Sequence, residues 1–137
     1  MGAEEIKQND ALAIVRDAQI PIIDDTADGG KGSGLMHHKF VVIDGKTVIL
    51  TSANFTTSDI HGDFKMAASR GNPNNLVKIE SSELAKLFTQ EFSIMWGDGP
   101  GGKADSKFGV KKPFRLVQKV RVGNATLAVL FSHGSGG

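Results

Sequence analysis

His37, Lys39, Asp44, Ser52 and Asn54 fall within eighteen residues of a 137-residue chain. A neutral imidazole is a competent nucleophile near pH 7. An ammonium is a compact countercharge for a non-bridging phosphate oxygen, and a hydroxyl and a carboxamide can donate to the same oxygens as charge develops on them. Together these types suit in-line displacement at phosphorus, in which one group attacks and another protonates the leaving oxygen on the opposite side.

The spacing says how the chain would gather them. Residues 38–44 alternate and are rich in β-branched and aromatic types, which predicts a strand. Residues two apart on a strand share a face, so His37 and Lys39 are expected to project together while His38 points away. Asp44-Gly45 predicts a tight hairpin turn, and Asp44 is assigned mainly to holding it. Val48-Ile49-Leu50 then returns as a buried strand, which places Ser52 beside Asn54 at its end.

Around this hairpin, Asn9 or Asp10 can cap a helix running to Ala18, with Pro21 as its stop. Ile20–Ile23 and Asn75–Ile79 read as strands. Residues 28–34 read as a loop before the motif, expected as a flap; Gly32 after Lys31 argues against a nucleotide phosphate loop. Residues 82–96 predict a helix capped by Ser81 or Ser82 and closed by Gly97, with Leu84, Leu87, Phe88, Phe92 and Met95 as its buried stripe. Residues 115–122 and 125–131 alternate as a second hairpin around Gly123-Asn124.

The motif resembles the signature of the phospholipase D superfamily: His-any-Lys, four residues, Asp, six residues, then Gly-Ser-any-Asn. Here it reads His37, Lys39, Asp44, Ser52, Asn54, with Thr51 in place of the glycine. The wider resemblance runs from about residue 10 to Trp96. It implies an α/β fold with a mixed β-sheet flanked by helices, a phospholipase D-like lobe incomplete at its N-terminus. It also implies a hydrolase, a metal-independent phosphodiesterase or nuclease that works without cofactors through a phosphohistidine on His37. The general acid would be a second histidine from another copy of the motif. This chain has one copy, and His61 and His133 lie in no matching context, so a homodimer or a second lobe is expected. Where the family commonly carries a glutamate that orients the histidine, the matching position is Asn74, with Asp63 as a substitute carboxylate. The domain reading is residues 1–97 as the catalytic lobe, 98–114 as a Gly/Lys-rich linker and 115–137 as a hairpin like the start of a second lobe.

Composition bounds the rest. Without cysteine there is neither a disulfide framework nor a thiolate metal site. No apolar run reaches the ~20 residues that span a bilayer, so a soluble, cytoplasmic protein without a transmembrane segment is expected. Residues 1–30 carry seven acids and two bases, while 103–121 carry seven bases against Asp105 alone. Such a basic segment is an electrostatic footprint for a polyanion. Lys111, Lys112 and Arg115 are therefore the expected substrate-binding residues, and nucleic acid is favoured over phospholipid as partner. The alternatives are a phospholipase or phosphatidyltransferase, and a catalytically silent nucleic-acid-binding or assembly module. His37→Ala is expected to abolish turnover of a simple soluble phosphodiester, and turnover should survive a chelator; a chelator-sensitive rate would instead indicate a metal-dependent nuclease.

Overall fold

The computed structural model of the chain describes residues 12–30, 36–62, 65–66 and 68–132. Helix α1 covers residues 12–17 of the described chain. Strands β1 (Phe40–Ile43) and β2 (Thr47–Thr51) are followed by a single turn of helix, α2 (Thr57–Ile60). Strand β3 (Leu76–Glu80), helix α3 (Ser82–Trp96), and strands β4 (Gln118–Val122) and β5 (Ala125–Val129) complete the order, with a short 3-10 turn at Gly109–Lys111. The expected strand over residues 20–23 does not form: these residues carry no regular structure, and Pro21 has no N–H to give a ladder.

The first sheet has the order β1-β2-β3. Its hairpin turn is the one the sequence demanded. Asp44 and Gly45 both take positive φ, 51° and 62°, and the Lys46 N–H donates to the Ile43 carbonyl at 3.0 Å. That is the mirror-image turn whose twist matches paired strands. Strand β1 is shorter than expected, beginning at Phe40, so His37, His38 and Lys39 lead into it rather than lie on it. Ser52 N–H donates to the Asn75 carbonyl, and Ser81 N–H donates to that of Lys46. These two bonds bracket an antiparallel β2–β3 pairing.

The chain divides into two compact units: Met1–Pro21, Lys39–Val41 and Ile49–Lys78 in the first; Ile22–His38, Val42–Val48 and Ile79–Gly137 in the second. In the first, Ala53 is buried at the end of β2. The second holds most of the buried apolar residues, including Val48, Leu84, Ala85, Phe88, Met95, Phe108 and Val120. Its α3 forms as expected: the Ser81 hydroxyl accepts from the Leu84 N–H, and Gly97 at φ 56° ends the helix. The buried stripe differs at one place. Glu91 is inside and Phe92 is 46% exposed, stacked on Trp96 at 5.3 Å. Positions 84, 88, 91 and 95 form one seam at alternating spacings of four and three, and 92 flanks it.

A buried carboxylate is tolerated only when it is paired. Glu91, 1% exposed, accepts from Lys112 Nζ at 2.7 Å and from Arg115 Nη2, and lies 2.9 Å from His38 Nε2. Burial lowers the pKa of both Lys112 and Arg115. Removing one member of such a cluster costs roughly 3–5 kcal/mol, because the remaining charge is stranded. Phe131 completes the arrangement: Arg115 sits over its ring at 4.7 Å, and Phe88 meets it edge-on at 4.9 Å. Strands β4 and β5 pair antiparallel with Val120 opposite Leu127, around a loop in which Gly123 takes φ 57°.

Gly45→Ala tests the first hairpin. An added Cβ would meet nothing within 4 Å, so the expected loss of about 1–2 kcal/mol is pure backbone strain, read as a lower denaturant midpoint.

Candidate phosphodiester site

The first unit gathers Lys39, Ser52, Asn54 and Asn74, and it does so around a residue that sequence reading missed, Asp59. The chain leaves β2 at Thr51, whose hydroxyl donates to the Asn75 carbonyl at 2.9 Å and accepts from the Ala53 N–H at 3.0 Å. The hydroxyl thus closes a turn at the position where the motif usually has glycine. Two residues beyond Ser52, Asn54 donates both its backbone N–H and its Nδ2 to Asp59 Oδ2, each at 2.7 Å. Asn72 Nδ2 donates to the other carboxylate oxygen at 2.6 Å. Gly71 lets that segment come close, since an added Cβ would sit 3.0 Å from the Asp59 carbonyl oxygen.

These bonds have a chemical consequence for Asn54. Its amide is fixed with nitrogen toward Asp59, which leaves one N–H to donate elsewhere. The Asp59 carboxyl is held below the ordinary carboxylate range, first by the Asn54 backbone N–H and then by the Asn72 side chain, with a smaller contribution from the Lys39 charge; partial desolvation opposes them. Asp59 is therefore a fixed anion.

Ser52 and Asn74 also meet. The Ser52 hydroxyl donates to Asn74 Oδ1 at 2.8 Å and accepts from the Asn75 N–H at 3.1 Å. Asn74 Nδ2 donates to the carbonyls of Asp59 and Asn72 at 3.2 and 3.1 Å. Asn74 thus ties the β2 end to α2, and the Ser52 proton is engaged within the protein. Asp63, the expected substitute carboxylate, lies outside the described residues, as do residues 31–34 of the expected flap and His133.

His37 and Asp44 belong to the second unit. His37 is exposed immediately before His38, and Asp44 is exposed at the hairpin tip, in the turn role assigned to it. The three expected substrate-binding residues are placed differently from one another. Lys112 and Arg115 are engaged with Glu91, with side chains 7% and 20% exposed. Lys111 remains 47% exposed and pairs with Asp28, its Nζ 2.8 Å from the carbonyl and 3.1 Å from Oδ1. Lys103, Lys107, Lys119 and Arg121 are exposed.

Comparison with known proteins identifies the family. The profile described as "Cardiolipin synthase, PLD-like domain" matches residues 1–96, and the chain belongs to this phospholipase D-like family. It is similar to proteins named "Mitochondrial cardiolipin hydrolase": 36% identical over 63 residues to that of Mus musculus, covering 46% of this chain and 24% of that protein. The Danio rerio protein is 36% identical over 80 residues, covering 56% of this chain and 31% of its own length. For the Homo sapiens protein the values are 35% over 63 residues, 46% and 21%. The chain thus spans about a quarter of the length of these relatives. No solved structure matches. Among the described residues no helix is long and apolar enough to cross a membrane, and the relatives' name, being mitochondrial, gives no support to the expected cytoplasmic location.

Asp59 was legible as one signal only: Thr56-Thr57-Ser58-Asp59 has the Ser/Thr-any-any-acid spacing of a helix N-terminus. Asp59→Asn is expected to slow turnover about tenfold or more by freeing Asn54. It should also flatten the acid limb of stability. A depressed carboxyl pKa contributes stability present above the unfolded value, near 4, and lost as pH falls through the lower folded value. Thermal melts between pH 3 and 6 would show this directly.

Proposed function

We propose that this chain carries a phosphodiester-hydrolysing site in which His37 is the nucleophile and forms a phosphohistidine. The observation that carries the reading is the grip of Asp59 on Asn54 by two N–H groups. One of the motif's phosphate-binding groups, Asn54, is thereby preorganised, which is what electrostatic stabilisation of a developing phosphorane-like charge requires. Family membership and the name of the relatives support the same chemistry.

In the proposed course, His37 attacks phosphorus and the ester oxygen leaves with a proton from a second histidine. Water, deprotonated by that histidine, then releases the phosphate monoester and restores His37. Lys39 and the remaining Asn54 N–H hold the non-bridging oxygens. The second histidine comes from another copy of the motif, in a homodimer or a further lobe.

The substrate has two readings. A nuclease would draw on the exposed Lys103, Lys107, Lys119 and Arg121, since Lys112 and Arg115 are committed to Glu91. A lipid phosphodiester is favoured by the relatives' name, cardiolipin hydrolase.

One experiment separates these. The full-length protein and His37→Ala are incubated with a soluble aryl phosphodiester, with cardiolipin-containing vesicles and with single-stranded DNA, and acid-labile phosphate on His37 is sought by mass spectrometry. Turnover of the aryl diester, lost in His37→Ala, with label on His37, is expected. The faster of the two natural substrates assigns the class. Absence of turnover and label in the wild type would identify a silent module and end the proposal.

A further inference from the structure

We infer that the buried Glu91 cluster is a positioning device for His37, and that the cations which complete it, Lys112 and Arg115, come from outside the region that the family profile matches. This rests on the reading of His37 as nucleophile. The cluster lies wholly in the second unit, as does His37.

The geometry fixes the place of the His38 ring. An ammonium can only donate, and Lys112 Nζ is 2.9 Å from His38 Nε2 and 2.7 Å from Glu91 Oε1. Lys112 Nζ, Glu91 Oε1 and His38 Nε2 thus meet within 2.9 Å of one another, His38 Nε2 lying 2.9 Å from Glu91 Oε1 as well. The ring is also held edge-on to Phe131 at 6.1 Å, the ring over which Arg115 sits. His38 is thus pinned by charge at one end and by an aromatic wall on its flank.

His37 is the adjacent residue in the chain, exposed where His38 is partly buried. One peptide unit separates them, so fixing the His38 ring and backbone limits where the His37 ring can swing. In-line attack needs the nucleophile placed to within about 0.5 Å, and His37 precedes β1 rather than lying on it. The family match ends at residue 96, whereas Lys112, Arg115 and Phe131 lie beyond it. The shared region supplies the motif, and the segment C-terminal to Trp96 supplies its support.

Stability alone would not demand this arrangement, since buried ion clusters can often be replaced by apolar residues at no loss. That gives the test. In the full-length protein, Lys112→Met keeps the apolar stem and removes the ammonium, and Arg115→Lys keeps the charge but loses the planar fork. Lys112→Arg is the conservative rescue, and Ser81→Ala is a control that weakens α3 without touching the cluster. Kinetics on the soluble aryl phosphodiester are read together with nitrogen-15 imidazole spectra of His37 and His38. Lys112→Met is expected to lower kcat about 10- to 100-fold with KM within about threefold, as loss of a ligand-orienting partner does elsewhere. It should also move the His38 ring signals and broaden those of His37. Arg115→Lys should move the same readouts less, and Lys112→Arg should restore part of kcat. If Lys112→Met matches Ser81→Ala in kcat at equal loss of melting temperature, or leaves both imidazole spectra unchanged, the inference is overturned. If the wild type shows no turnover, or His37→Ala retains it, the phosphodiesterase reading fails instead, and the imidazole spectra still decide whether the cluster places His37.

Discussion

A carboxylate on the buried seam of a helix cannot stand alone, and the second unit of this protein is arranged around that constraint. Glu91 is 1% exposed on α3. Apolar neighbours on the same seam, Leu84, Phe88 and Met95, fix the face that must go inside. The charge goes in with them. Lys112 and Arg115 then have to return to the helix, which anchors the segment between the 3-10 turn and β4. Phe131 follows because Arg115 needs a surface to lie on.

The first unit uses its carboxylate in the opposite way. Asp59 is not sealed from water, and its hydrogen-bond partners are neutral amides rather than buried cations. Such a group does little for stability by charge pairing. Its value is directional: it decides which atom of the Asn54 amide faces outward. Ser52, Asn72 and Asn74 extend the same polar layer by hydrogen bonds between short side chains, where little rotamer entropy is lost in ordering.

Local rules were legible in the sequence because their causes are local. Asp44-Gly45 had to adopt positive φ and did. Ser81 and Gly97 bounded α3 as their chemistry requires, and Leu76–Glu80 appeared as a strand within a residue of expectation. Thr47–Thr51 returned from the hairpin as alternation and β-branching implied. Partners distant in sequence were not legible. Nothing in residues 103–121 distinguishes lysines that meet a buried acid from lysines that meet solvent. Glu91 could have been noticed as a charge interrupting an apolar stripe, but not paired with His38, 53 residues earlier. Phe92 was drawn into the stripe by its hydrophobicity, although a ring that can stack on Trp96 has a second way to cover its surface. At the site, the motif residues were evident from type and spacing, while Asp59 became evident only when α2 turned it back toward Asn54.

The spans closed by these contacts differ, and this orders events as the chain is made. The hairpin carrying the motif closes across three residues, and Asp59 reaches Asn54 across five, so both can form as soon as they leave the ribosome. Lys112 meets His38 across 74 residues and Glu91 across 21. Helix α3 must therefore emerge bearing an unneutralised carboxylate on its apolar face, and it stays uncompensated until the segment through Arg115 has emerged too. During that interval the helix is a poor partner for its own core, and docking of α3 waits on translation of a stretch that the family profile does not include. The contacts around the motif hairpin are thus closed by chain made early and the Glu91 cluster by chain made later, a vectorial sequence that comes from where one glutamate finds its cations.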